Sequence, residues 1–120
     1  MKRILVVDDE LDLLDLIELI LTNEGYDIHK AQNGKEAINL TGKNDYDIII
    51  MDIMMPEMDG WETIKAIRAD KKNVNIPIIM LTCRDNSQDK YYAIQEGIED
   101  YITKPFTPNH LVNVINDIFK

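Results

Sequence analysis

Cysteine is almost missing from this chain: Cys83 is the only one in 120 residues. No internal disulfide and no cysteine-built metal centre can form. Aromatics make up only 7%, with a single tryptophan, and there are 5 glycines and 4 prolines. No linker, repeat or low-complexity segment interrupts the chain. No apolar run approaches the ~18 residues that a membrane span needs. Lys2 and Arg3 lead directly into Ile4-Leu5-Val6-Val7 and two aspartates. That start lacks the long apolar region and cleavage site of a signal peptide, so a cytoplasmic location is expected. Basic residues are outnumbered, 13 Lys and Arg against 22 Asp and Glu, for a net charge of −9. Such a chain repels phosphate backbones and anionic lipid, which argues against direct binding to nucleic acid or to a membrane.

What is present describes an ordinary globular domain. Hydrophobic residues make up 45% and charged residues 29%, a balance that folds rather than staying disordered. The length predicts one domain over residues 1–120. Near-continuous apolar runs at 4–7, 48–51 and 76–81 fit strands buried on both faces of a parallel sheet. Residues 26–31 read as a more polar edge strand and 101–103 as a short fifth strand. Between them lie helical spacings. Leu13, Leu14, Ile17, Ile20 and Leu21 precede a stop at Gly25, and a second helix covers about 34–40. A third starts at an Asp59 cap and carries Trp61, Ile64 and Ile67; a fourth covers 87–96 and stops at Gly97. The last starts at Pro108, whose missing N–H suits a first helical turn, and puts Leu111, Val112, Ile115, Ile118 and Phe119 on one face. Five β-α repeats predict an α/β fold with a parallel sheet covered by helices.

Each strand is followed by a residue with chemistry. Asp8-Asp9-Glu10 follow the first, Asp52 the third, Thr82 the fourth and Lys104 the fifth. Open parallel sheets bind ligands outside the carboxyl ends of their strands, where strand order reverses. Taken singly, each has an ordinary reading: a cap for the Asp pair and for Thr82, a turn for Asp52, a solvated charge for Lys104. Independent caps, however, have no reason to fall at the same end of four strands. Two carboxylates about 4 Å apart repel by about 4 kcal/mol at an effective dielectric of 20, so a group of three calls for a cation. Hard oxygen donors suit Mg²⁺. Carboxylates, Mg²⁺, a hydroxyl and an ammonium together describe a phosphoryl-transfer site in which an aspartate is the nucleophile. Met51 and Met80 read as strand core, Cys83 as a small packed residue, and His29 and His110 as isolated side chains without a ligand or phosphohistidine role.

The segments ILVVDDE, DIIIMDIMMPEMDGWE, IPIIMLT and DYITKPF resemble the receiver domain of two-component response regulators, and the resemblance runs through the whole chain. It implies a three-layer αβα sandwich, (βα)5 and flavodoxin-like, with a five-stranded parallel sheet in the order 2-1-3-4-5. It implies that Asp52 is the phosphoacceptor and that Asp9, Asp52 and the Met54 backbone carbonyl hold Mg²⁺, with Asp8 acting through water. Thr82 and Lys104 would contact the phosphoryl oxygens, and Thr82 and Tyr101 would form the switch that alters the surface of the fourth helix, fifth strand and fifth helix. Its partners would be a sensor histidine kinase or phosphotransfer protein and an output partner; a small phosphodonor would also serve. Such a domain assists its own phosphorylation and dephosphorylation but is not a turnover enzyme. The details look most like receivers of winged-helix regulators, in which phosphorylation brings about a homodimer. Val114 stands where that subgroup carries an arginine for a dimer salt bridge. The resemblance also implies that Met54 and Arg84 flank the water path to the phosphoryl group and, supplying no base, prolong its lifetime. The turn needed to aim Lys104 into the pocket predicts a cis peptide before Pro105. Three other readings compete. An aspartyl-nucleophile phosphatase would need an acid two residues after Asp52, where Met54 stands. A flavin phosphate would meet Asp8 and Asp9 with no glycine-rich loop. An adaptor that never accepts phosphate would have no use for the full acidic set.

Overall fold

The computed structural model describes residues 1–83 and 97–120. Its strands are β1 (Arg3–Val7), β2 (Asp27–Ala31), β3 (Ile48–Asp52), β4 (Ile78–Thr82) and β5 (Asp100–Thr103). Its described helices are α1 (Leu11–Asn23), α2 (Gly34–Lys43), α3 (Gly60–Arg68) and α4 (Pro108–Ile118), with a 3₁₀ turn at Lys71–Asn73. The helix expected over 87–96 lies outside the described residues. All strand pairs are parallel and the sheet order is β2-β1-β3-β4-β5, as the resemblance implied.

Alternation along the strands builds two separate cores, because successive side chains point to opposite faces. Leu5, Val7, Ile49, Met51, Ile78 and Met80 meet Ala37 of α2 and Ile64 and Ile67 of α3, with Met55 beside them. Ile4, Val6, Ile48, Ile50, Ile79, Leu81 and Ile102 meet Leu14, Ile17 and Leu21 of α1 and Leu111, Val114 and Ile115 of α4. The result is a helix layer on each side of the sheet. β3 and β4 are buried throughout, which is why they read as unbroken apolar runs. β2 is paired on one side only and is more polar. Lys30 at its end bonds both Asp15 and Glu18 of α1 at 2.9 Å.

Helix starts follow local hydrogen bonding. Asn33 accepts from the Glu36 amide, Asp59 from that of Glu62, and Thr107 from that of His110. Gly25 closes α1 in the left-handed region at φ 90°, where glycine carries no steric penalty. β4 starts two residues later than the apolar run because Pro77 has no N–H for the ladder; its carbonyl accepts from the Ile49 amide instead. Val114 is buried in the core beneath α4.

Candidate functional site

Order reverses between β1 and β3, so the carboxyl ends of these strands open a crevice. Asp8 follows β1, Asp52 ends β3, Thr82 ends β4 and Lys104 follows β5. Asp8, Asp52 and Thr82 are buried, with at most 2% of their surface exposed, while Asp9 is open to solvent. Neither aspartate of the pair caps α1: Glu10 occupies the cap position and its side chain makes no cap bond. Asp8 instead turns inward. Its Oδ1 accepts from the Glu10 amide at 2.9 Å and its Oδ2 from Lys104 Nζ at 2.8 Å.

Lys104 Nζ also lies 3.6 Å from Asp52 Oδ2 and 3.8 Å from Glu10 Oε1. The Lys104 amide donates to the Thr82 carbonyl at 2.7 Å, which fixes the root of the side chain to β4, and the Lys104–Pro105 peptide is cis as expected. On Asp52, Oδ1 accepts from the Met54 amide at 3.2 Å. α3 starts directly beneath this turn, since the Gly60 amide donates to the Ile53 carbonyl at 3.0 Å.

Burial, and then the charge of Asp8, raise the Asp52 carboxyl to about 6; Lys104 and the Met54 amide pull the other way, and Asp9 adds to the rise. For Lys104, burial alone would lower the ammonium. The Asp8 hydrogen bond and the charges of Asp52, Asp8 and Glu10 outweigh it, and the net shift is upward. The site is therefore a buried pair of carboxylates held together by one ammonium. Oxygen atoms of Asp8, Asp9 and Asp52 lie within 4.8 Å of one another. Three clustered carboxylate oxygens open to solvent on the Asp9 side fit a hard divalent cation such as Mg²⁺.

The response regulator receiver domain model matches residues 4–116. The chain belongs to the response regulator receiver family. It is 42% identical over 118 residues to the response regulator SaeR of Staphylococcus aureus, covering 98% of this chain and 50% of that protein. The receiver thus spans about half the length of the curated relatives it matches. Among solved structures, chemotaxis protein CheY4 of Vibrio cholerae superposes with a TM-score of 0.94 at 31% identity, over 98% of each chain. The receiver domain of Francisella response regulator 1452 follows at 0.89 and 35%, covering 99% of this chain and 97% of that one.

In this receiver the expected residues Asp8, Asp9, Asp52 and Lys104 converge on one crevice, and Thr82 ends the neighbouring strand at the same edge of the sheet. Tyr101 sits half-buried on β5 against the α2–α3 core. Arg84, the second residue expected beside the water path, lies outside the described residues. Two points were not anticipated. Glu10 is a third partner of Lys104. Cys83, read as packed, is exposed, because the chain leaves the sheet directly after Thr82; its Sγ lies 3.8 Å from Sδ of Met54, itself 53% exposed. His29 is tied to Tyr46 Oη at 2.7 Å. No described helix is long and apolar enough to cross a membrane.

The raised Asp52 carboxyl has a consequence for stability. Its folded value of about 6 exceeds the unfolded value of about 3.9, so between these values the folded state holds the extra proton. Stability therefore falls as pH rises through that window, and the loss is complete above it. Without divalent ions, Asp52→Asn should be more stable than the parent by on the order of 2 kcal/mol near pH 7.5, with the gap closing toward pH 4. Urea unfolding at the two pH values checks this; an equal gap at both would assign the effect to something other than the charge.

Proposed function

We propose that the domain is a phosphoacceptor switch in which Asp52 takes a phosphoryl group from a phosphohistidine or a small phosphodonor. The observation that carries the reading is the convergence of Asp8, Asp9, Asp52 and Lys104 at the carboxyl ends of three strands. Asp9, Asp52 and the Met54 carbonyl are the residues to hold Mg²⁺, with Asp8 acting through water. When bound, the ion would neutralise negative charge on the pocket and on the group being transferred. A carboxylate oxygen of Asp52 forms the new O–P bond as the donor's P–N or P–O bond breaks. A carboxyl raised only to about 6 is mostly ionised at neutral pH and is a competent nucleophile. Lys104, with its ammonium pushed upward, stays charged and offers its donors to one phosphoryl oxygen. Thr82, at the end of the neighbouring strand, offers its hydroxyl to another.

That second contact is the switch. Drawing Thr82 toward Asp52 vacates space beside β4, and Tyr101 turns into it, changing the surface around β5 and α4. The partners are a sensor histidine kinase or phosphotransfer protein and an output protein or domain that reads the altered face. The same altered face is the one through which a phosphorylation-dependent homodimer would form, without a salt bridge from Val114. The domain is cytoplasmic, makes no direct contact with nucleic acid, and is phosphorylated and dephosphorylated without being a turnover enzyme.

The reading is tested with acetyl phosphate and Mg²⁺. Intact-protein mass should rise by about 80 Da, the mass of one phosphoryl group, and the gain should vanish when chelator exceeds Mg²⁺. A mass unchanged under both conditions would refute phosphoacceptance. The lifetime of the adduct is a separate expectation. Met54 stands exposed at the pocket mouth and supplies no group to orient water. Met54→Asn should therefore shorten the phosphoprotein half-life by about 3- to 10-fold, read by decay of the added mass. Decay at the parent's rate would remove Met54 from the water path.

A further inference from the structure

Lys104 faces a conflict that Asp8, Asp9 and Asp52 do not resolve. Both oxygens of Asp8 are already engaged, Oδ1 by the Glu10 amide and Oδ2 by Lys104 Nζ. The same ammonium lies 3.6 Å from Asp52 Oδ2. A divalent cation using this acidic set needs those oxygens, directly or through its water, and a partly buried ammonium among them repels it. Lys104 must withdraw before the ion is well held. Yet it must stay close, because the phosphoryl oxygens will need it. Of the acids paired with Lys104 among the described residues, only Glu10 lies outside the cluster of three.

Glu10 is suited to receive it. Its backbone is fixed to the pocket by the bond to Asp8 Oδ1. Its side chain is 66% exposed and spends nothing on capping α1, so it is free to follow the ammonium. We infer that Glu10 is a positioning residue: it holds Lys104 at the rim while the pocket carboxylates turn to the divalent cation, and returns it when a phosphoryl group arrives. The inference rests on the proposed phosphoacceptor reading, and it concerns how one side chain clears the ion site without leaving it.

The test is a double-mutant cycle on ion binding, which does not require phosphorylation. Mg²⁺ is titrated while following the fluorescence of Trp61, the single tryptophan, on the helix that starts below the Asp52 turn. Glu10→Gln preserves length and removes charge. In the parent background it should weaken Mg²⁺ about fivefold; in a Lys104→Met background the same change should matter less than about twofold, since the competing ammonium is gone. Glu10→Asp, which keeps the charge, should recover most of the parent's affinity. Equal losses in both backgrounds would mean that Glu10 only adds to the negative field, and would overturn the inference, as would no loss in the parent. A parent protein that binds no Mg²⁺ at all would overturn the site reading along with it, so the two failures are distinguishable.

Discussion

Asp52→Asn should lower phosphoryl incorporation from acetyl phosphate by at least about 100-fold, because the amide removes the nucleophilic oxygen while keeping size and shape. The fold should survive, since the substitution also removes a buried charge. Asp52 is singled out from its neighbours by position. It ends the central strand β3, with β1 on one side and β4 on the other, and its Oδ1 is oriented by the Met54 amide. Asp8 is fully committed to Lys104 and Glu10, and Asp9 is exposed on the solvent side. Asp9→Asn should slow labelling through weaker cation binding without moving the modified residue. Peptide mapping decides it: label persisting in Asp52→Asn at the parent's level would place the acceptor elsewhere.

The second large effect is expected at Gly60. A Cβ there would lie 2.5 Å from the Asp52 carbonyl oxygen and 2.7 Å from Ile53 Cα. Both are backbone atoms of the turn that carries Asp52, so neither can move without moving its carboxylate. Gly60→Ala should cost about 3 kcal/mol, the upper range for overpacking a tight site, and should lower phosphorylation in the molecules that remain folded. Gly42→Ala is the control. Nothing lies within 4 Å of a Cβ at that position in α2, so it should be neutral or stabilising by up to about 1 kcal/mol. Urea unfolding of both variants checks the pair, and a Gly60→Ala protein as stable as Gly42→Ala would show that α3 is not seated on the turn.

The difference between these two glycines shows what could be read from the sequence. The strands were legible because burial on both faces leaves unbroken apolar runs such as Ile48-Ile49-Ile50-Met51. The placement of the candidate site residues was legible because they follow strand ends, which lie at one edge of the sheet whatever the loops do. Close packing carries no such pattern: Gly34, Gly42 and Gly60 look alike in the sequence, yet a Cβ would meet open space at Gly42, the Thr63 and Met58 side chains at Gly34, and the backbone of Asp52 and Ile53 at Gly60. The preference of Lys104 for Asp8 over Asp52, 2.8 against 3.6 Å, depends on side-chain direction rather than order along the chain. The exposure of Cys83 was missed because a small residue after a buried strand reads as core, and the sequence does not show that the strand stops at Thr82. The strand order came from resemblance, since periodicity alone does not say which strand lies beside which.

The methionines divide unevenly between the two helix layers. Met51, Met55 and Met80 are buried on the α2–α3 side, and the α1–α4 side has no methionine among its described core residues. Thioether side chains are flexible and polarizable and refill irregular space readily, so one layer is more tolerant of rearrangement than the other. The same asymmetry makes a spectroscopic map. With methyl-¹³C methionine, Met54 reports from the pocket mouth and the three buried methyls report from a single side of the sheet. Their resonances, recorded before and after beryllofluoride is added, would trace any repacking of the α2–α3 layer site by site, with the described core on the α1–α4 side contributing no methionine signal to confuse it.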